Sequence, residues 1–159
     1  MGSIRIVRGT ATGPTAMAAY DASLAAAGVH NYNLVSVSSV IPANAAVEVV
    51  GTAPDLGPAG ERLTVVEGRA TVAPGRSDPA AACLGWDRAP GGPGIFYEAS
   101  GTDPEAVRGR VDRGLDAGRE LREWAFGETG QLSAVADPDA ERYATAVVLA
   151  VYGESAPLV

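Results

Sequence analysis

At 159 residues the chain is about one domain's worth of sequence, and with 47% apolar but only 6% aromatic residues its core is expected to be built from Ala, Val, Leu and Ile. A net charge of −7 sets 19 acids against 12 bases, and every base is arginine; without a basic cluster, nucleic acid is excluded as a partner, and without lysine the chain can neither anchor pyridoxal phosphate as an internal Schiff base nor complete a Walker-type phosphate loop. Cys83 is the one cysteine and His30 the one histidine, which excludes an internal disulfide and an all-protein His/Cys metal cluster, so no metal is expected.

No signal-peptide pattern opens the sequence and no stretch approaches the roughly 20 apolar residues of a membrane span, so a cytoplasmic enzyme or binding domain is expected, with no membrane partner. Twenty glycines and 11 prolines punctuate many short elements, which favours a sheet-rich α+β fold in a single domain, 1–159. Residues 3–8, SIRIVR, alternate as a strand and lead into a turn-like GTATG. Residues 15–27 form an Ala-rich helix that starts after Pro14 and stops at Gly28, with Met17, Tyr20 and Leu24 on one face.

A second strand is expected over 31–38 and a short third over 47–50, with Pro42 between them and a loop over 51–61. Further strands are expected at 62–72, 80–86 and 94–99. Residues 103–125 read as a long amphipathic helix capped by Thr102, with Val107, Val111, Leu115, Gly118, Leu121 and Ala125 on its inner face. Strands at 131–136 and 143–152 close the chain, the last apolar on both faces and therefore central in its sheet.

Several stretches invite a chemical reading beside a structural one. GTATG ahead of a helix has the outline of a phosphate cradle, but two glycines at that spacing are common and the lysine is missing. Ser38 or Ser39 with His30 could suggest a serine hydrolase, yet no G-x-S-x-G elbow is present. Asp21 falls at the edge of the first helix's apolar stripe, as a rim residue or as a charge held for a cationic partner. Glu98 lies in GIFYEAS, apolar on both strand faces, where partial desolvation is expected to raise its pKa. In NYNLVSVSSVIP, residues 31–42, the pair Ser38-Ser39 is either a satisfied strand end or a reagent.

From Gly9 to Pro42 the chain reads GTATGPTAMAAYDASLAAAGVHNYNLVSVSSVIP: a glycine loop, a helix with an aromatic-Asp pair, a glycine turn, then N-L-x-x-V-S-S-V-I-P. With GIFYEASG, the long helix and the Ala-rich last strand, this resembles the pyruvoyl-dependent arginine decarboxylases over nearly the whole chain. One departure is Ala43, where many such enzymes carry a second proline after Pro42.

The resemblance implies a four-layer αββα sandwich of the pyruvoyl-dependent histidine/arginine decarboxylase type, assembled as a homotrimer with sites between protomers. It implies autocatalytic cleavage of Ser38-Ser39 into a β chain, 1–38, and an α chain, 39–159. The Ser39 hydroxyl attacks the Ser38 carbonyl, the peptide becomes an ester, and β-elimination followed by hydrolysis leaves a covalent pyruvoyl group at residue 39. That group condenses with the substrate amine and accepts the electrons released with CO2, so neither pyridoxal phosphate nor metal is needed.

By the same resemblance Glu98 protonates the decarboxylated carbon, Asn33 stabilises the oxyanion of ester formation, Asp21 holds the guanidinium of arginine, and Leu24 lines its aliphatic stem. The implied reaction converts L-arginine to agmatine for polyamine synthesis. Two alternatives stand beside it: the same chemistry on another cationic amino acid, and a non-cleaving oligomeric domain in which both serines are structural.

Overall fold

A computed structural model describes residues 2–159. In chain order it contains β1 (Ser3–Gly13), α1 (Ala16–Ala27), β2 (Asn33–Ser36), β3 (Val40–Ile41), β4 (Ala46–Gly51), β5 (Arg62–Val72), β6 (Ala80–Arg88), β7 (Gly94–Gly101), α2 (Pro104–Glu120), β8 (Glu128–Ala136) and β9 (Tyr143–Tyr152). The strands form two sheets, a five-stranded one ordered β2-β5-β9-β1-β4 and a four-stranded one ordered β3-β7-β6-β8. The fold is α+β, two sheets and two helices, compatible with a sandwich.

Three apolar clusters follow from strand alternation. On β9, Ala146, Val148 and Ala150 meet Ile4, Ile6 and Val66 of the same sheet and Ile41, Leu84 and Phe96 of the other, filling the space between the sheets. The intervening Val147, Leu149 and Val151 face away and pack with Leu24 and Ala27 of α1. On the far side, Ala81, Cys83 and Ile95 receive Val107, Val111 and Leu115 of α2. Being apolar on both faces, β9 is the central strand of its sheet.

GTATG is not a turn: β1 continues through it to Gly13. Its glycines serve close approach, since a Cβ on Gly9 would fall 2.0 Å from the Ser23 carbonyl oxygen and one on Gly13 would fall 2.4 Å from the Ala19 backbone nitrogen. The helix therefore beds on its small residues. Ala19, Ser23 and Ala27 are buried with Leu24, whereas Met17 is 72% exposed and Asp21 faces solvent. Thr15 caps this helix by accepting from the Ala18 N–H at 3.1 Å, and Gly28 ends it in the left-handed region at φ 81°.

For α2 the cap is Asp103, not Thr102: its Oδ1 accepts from the Glu105 and Ala106 N–H groups at 3.0 and 3.3 Å. The helix stops at Glu120, short of the expected Ala125, and Leu121 is 81% exposed. Beyond it Trp124 and Phe126 both reach the core beneath α2, a spacing of two that a helix cannot present on one face. Among the described residues no helix is long and apolar enough to cross a membrane.

Candidate active site

The expected strand over 31–38 is realised only at Asn33–Ser36, after which the chain leaves that sheet. β2 runs only from Asn33 to Ser36 and pairs in parallel with β5; β3 pairs antiparallel with β7 in the opposite sheet. Between them the chain crosses from one sheet to the other. Its last tie to the first sheet is the Val37 N–H donated to the Val65 carbonyl at 3.0 Å; its first tie to the second is the Phe96 N–H donated to the Ser39 carbonyl at 2.8 Å. Ser38 and Ser39 occupy the span between these anchors.

The crossing is tightly turned. The Val40 N–H donates to the Ser38 carbonyl at 2.9 Å, a three-residue turn centred on Ser39. The Ser39 hydroxyl points to Glu98, donating to Oε2 at 3.4 Å. Glu98 stands on β7 opposite Leu84 and shares with Phe96 the face turned to the other sheet. Gly68 of β5 leaves it room, because a Cβ there would come within 3.3 Å of the Glu98 Cβ.

Tyr152, the last residue of β9, reaches across from the five-stranded sheet and donates its hydroxyl to the Val40 carbonyl at 2.8 Å. Its ring meets Phe96 edge-on at 6.1 Å, and Phe96 meets Trp86 at 6.4 Å. Burial, with the Glu98 carboxylate second, pushes the Tyr152 phenol up to about 12.

Over the serines opens a cavity of about 500 Å³, with Ser38, Ser39, Tyr97, Glu98, Gly118 and Leu121 on its wall. Tyr97 lies against α2 at Gly114, where a Cβ would fall 2.3 Å from the ring. The rim is apolar and exposed, formed by Val40, Tyr97 and Leu121 with Val37 nearby.

Of the expected site residues, the structure brings Ser38, Ser39 and Glu98 together in this cavity. Asn33 is not on its wall: its amide donates to the Gly60 carbonyl at 2.8 Å, fastening the start of β2 to the loop before β5. Asp21 is exposed on α1 and forms no ion pair among the described residues. Leu24 is 7% exposed and packs between α1 and the sheet, away from the serines. The sequence reading passed over Tyr152 and the Val40 N–H. The first carried a signal, a hydroxyl ending a run that is apolar on both faces; the second, a backbone group, carried none.

Among the described residues no group of three or more His, Cys, Asp or Glu side chains is placed to hold a metal ion. The model of one protein family, pyruvoyl-dependent arginine decarboxylase, matches residues 3–157. Proteins of that name from two strains of Halobacterium salinarum are each 52% identical over 160 aligned positions, covering 99% of this chain and 98% of the relative. A Methanopyrus kandleri protein of the same name is 31% identical over 148 positions, covering 92% of this chain and 93% of its own. With a specific serine-pair motif seated beside a carboxylate and a match along almost its full length, the chain belongs to the pyruvoyl-dependent arginine decarboxylase family.

Proposed function

We propose that this protein decarboxylates L-arginine to agmatine and CO2, supplying a diamine precursor for polyamine synthesis, after cutting itself between Ser38 and Ser39. The observation that carries this reading is the placement of that pair on a crossing between two sheets, with the Ser39 hydroxyl against Glu98 and a cavity above. In the cut, a bond forms from Ser39 Oγ to the Ser38 carbonyl carbon, the Ser38–Ser39 C–N bond breaks, and the hydroxyl proton passes to the released amine. Loss of the Ser39 Cα proton and of the Ser38 carboxylate from Cβ then gives dehydroalanine, which takes up water and releases ammonia to leave a pyruvoyl group at residue 39.

The residues present fit a pyruvoyl group at that position: Ser39 carries its leaving group on Cβ, its carbonyl is fixed by the Phe96 N–H, and its side chain opens to the cavity. Once formed, the group supplies an electron-accepting carbonyl for a substrate amine. The Glu98 carboxyl, with Oε2 toward residue 39, is placed to pass a proton to the decarboxylated carbon. Asn33 secures β2, and so the first anchor of the crossing, through its bond to Gly60.

Asp21 would hold the guanidinium bidentately, the geometry that suits a carboxylate. It is absent from the cavity wall of its own chain, which supports a site completed by a neighbouring protomer in a homotrimer, with Leu24 setting the seat of the helix that presents Asp21. The exposed apolar rim of Val37, Val40, Tyr97 and Leu121 supports the same reading, being a surface that association would cover. A four-layer αββα arrangement is supported by the three clusters, one between the sheets and one beneath each helix.

Two measurements test the proposal. Mass spectrometry of the purified protein is expected to find fragments 1–38 and 39–159, the second beginning with a pyruvoyl group; an intact chain would overturn it. Labelled CO2 is expected to be released from arginine in preference to ornithine and lysine, and the opposite preference would move the substrate to another cationic amino acid.

A further inference from the structure

The oxyanion formed when Ser39 attacks the Ser38 carbonyl needs a hydrogen-bond donor at the Ser38 oxygen. The motif suggests the Asn33 amide, but that side chain is off the cavity wall and its one hydrogen bond within the chain is donated to the Gly60 carbonyl at 2.8 Å, not to Ser38. A different donor is already on the scissile oxygen: the Val40 N–H, at 2.9 Å. We infer that the Val40 N–H is the oxyanion donor of the self-cleavage, and that Tyr152 is the positioning residue that holds it there.

The peptide between Ser39 and Val40 is pinned at both ends. Its carbonyl accepts from the Phe96 N–H at 2.8 Å, and the next carbonyl along, that of Val40, accepts from the Tyr152 hydroxyl at 2.8 Å. With both carbonyls fixed, the N–H between them can point only back across the turn, at the Ser38 oxygen. The two pins come from opposite sheets, Phe96 from the four-stranded and Tyr152 from the five-stranded, so the turn is set by the packing of the sheets against each other.

The donor is therefore in place before reaction begins and needs no rearrangement when negative charge develops. The Tyr152 phenol, pushed up to about 12, stays a neutral donor throughout the working range of pH. Its ring packs on Phe96, so the two pins also steady one another.

This inference rests on the self-cleavage reading and is tested on the precursor, not on decarboxylation. Freshly translated chains are followed by gel and mass spectrometry with and without hydroxylamine. Hydroxylamine attacks the ester at the Ser38 carbonyl, giving a Ser38 hydroxamate and a free seryl terminus, and so reports ester formation apart from elimination. Tyr152→Phe keeps the ring and its packing while removing the hydroxyl, and is expected to slow hydroxylamine-dependent cleavage about tenfold without shifting the melting temperature by more than a few degrees.

Replacing Val40 by its α-hydroxy acid exchanges the N–H for oxygen, and is expected to slow formation of the Ser38 ester by about a hundredfold or more, read by mass as the Ser38 hydroxamate and separately from hydroxylamine cutting of the new 39–40 ester. Cleavage of either variant at the wild-type rate overturns the inference, as does arrest by Asn33→Ala with Tyr152→Phe unaffected, which would return the donor role to the side-chain amide. A wild-type precursor that never cleaves, with or without hydroxylamine, would instead remove the self-cleavage reading itself.

Discussion

Ser39 and Glu98, 59 positions apart in sequence, meet in the cavity with 3.4 Å between the hydroxyl and carboxylate Oε2. In the proposed cut the hydroxyl would depart with Ser38, and the carboxylate would then face the group that replaces it. Glu98→Gln is therefore expected to leave the 1–38 and 39–159 fragments forming while lowering CO2 release by about 10²- to 10⁴-fold. Gel analysis beside a radiometric assay checks both halves. Failure to cleave would give Glu98 a part in processing.

Ser39→Ala removes the nucleophile without disturbing the backbone anchors on Val65 and Phe96. A folded, uncut chain with wild-type circular dichroism is expected, and fragments in that variant would place the reactive bond elsewhere.

Asp21→Asn keeps the shape of the side chain and removes its charge. Cleavage is expected to proceed, and the KM for arginine to rise on the order of tenfold or more, the cost of losing a charge-assisted pair. An unchanged preference for arginine over ornithine would remove Asp21 from the guanidinium site.

Two glycines predict opposite outcomes for the same change. Gly9→Ala would drive a methyl to 2.0 Å from the Ser23 carbonyl oxygen, backbone that cannot yield without lifting α1, and a loss of about 2–3 kcal/mol is expected in urea unfolding of the uncut Ser39→Ala chain. Gly109→Ala, inside α2, meets only the flexible end of Arg113 at 3.3 Å and is expected to gain up to about 1 kcal/mol through helix propensity.

At high pH two tyrosines decide the direction of stability. Burial, with Glu67 accepting from and repelling one ring and Glu98 repelling the other, pushes Tyr20 and Tyr152 each to about 12. The folded state then binds more protons than the unfolded between about 10 and 12, so stability is whole below pH 10 and falls as pH rises through that window. After solvent screening the loss is on the order of 1 kcal/mol for each ring. Alkaline melts of the Tyr20→Phe and Tyr152→Phe variants are expected to show a shallower decline than the wild type.

Much of the fold was legible because alternation and burial agree. Residues 62–72 and 143–152 read as strands and are β5 and β9, the latter central because both its faces are apolar. The failures are physical. GTATG looked like a turn because glycine usually marks flexibility, while here the missing Cβ admits a neighbouring helix. The segment 31–38 looked like one strand because local pattern does not say which sheet a residue joins. For the site, the serine pair and Glu98 share one cavity, while the Tyr152 contact depends on how the two sheets pack and is not given by local pattern.

The crossing at Ser38 and Ser39 also fixes what the protein becomes afterwards. The proposed cut would sever no strand and would leave β1 of the short fragment between β9 and β4, so the protomer would persist as a non-covalent pair of chains. Folding before the cut is unimolecular; regaining that fold after it is bimolecular, with a midpoint that depends on concentration. Maturation would thus make unfolding hard to reverse, because the covalent link that brought β1 to its place between β9 and β4 would no longer exist.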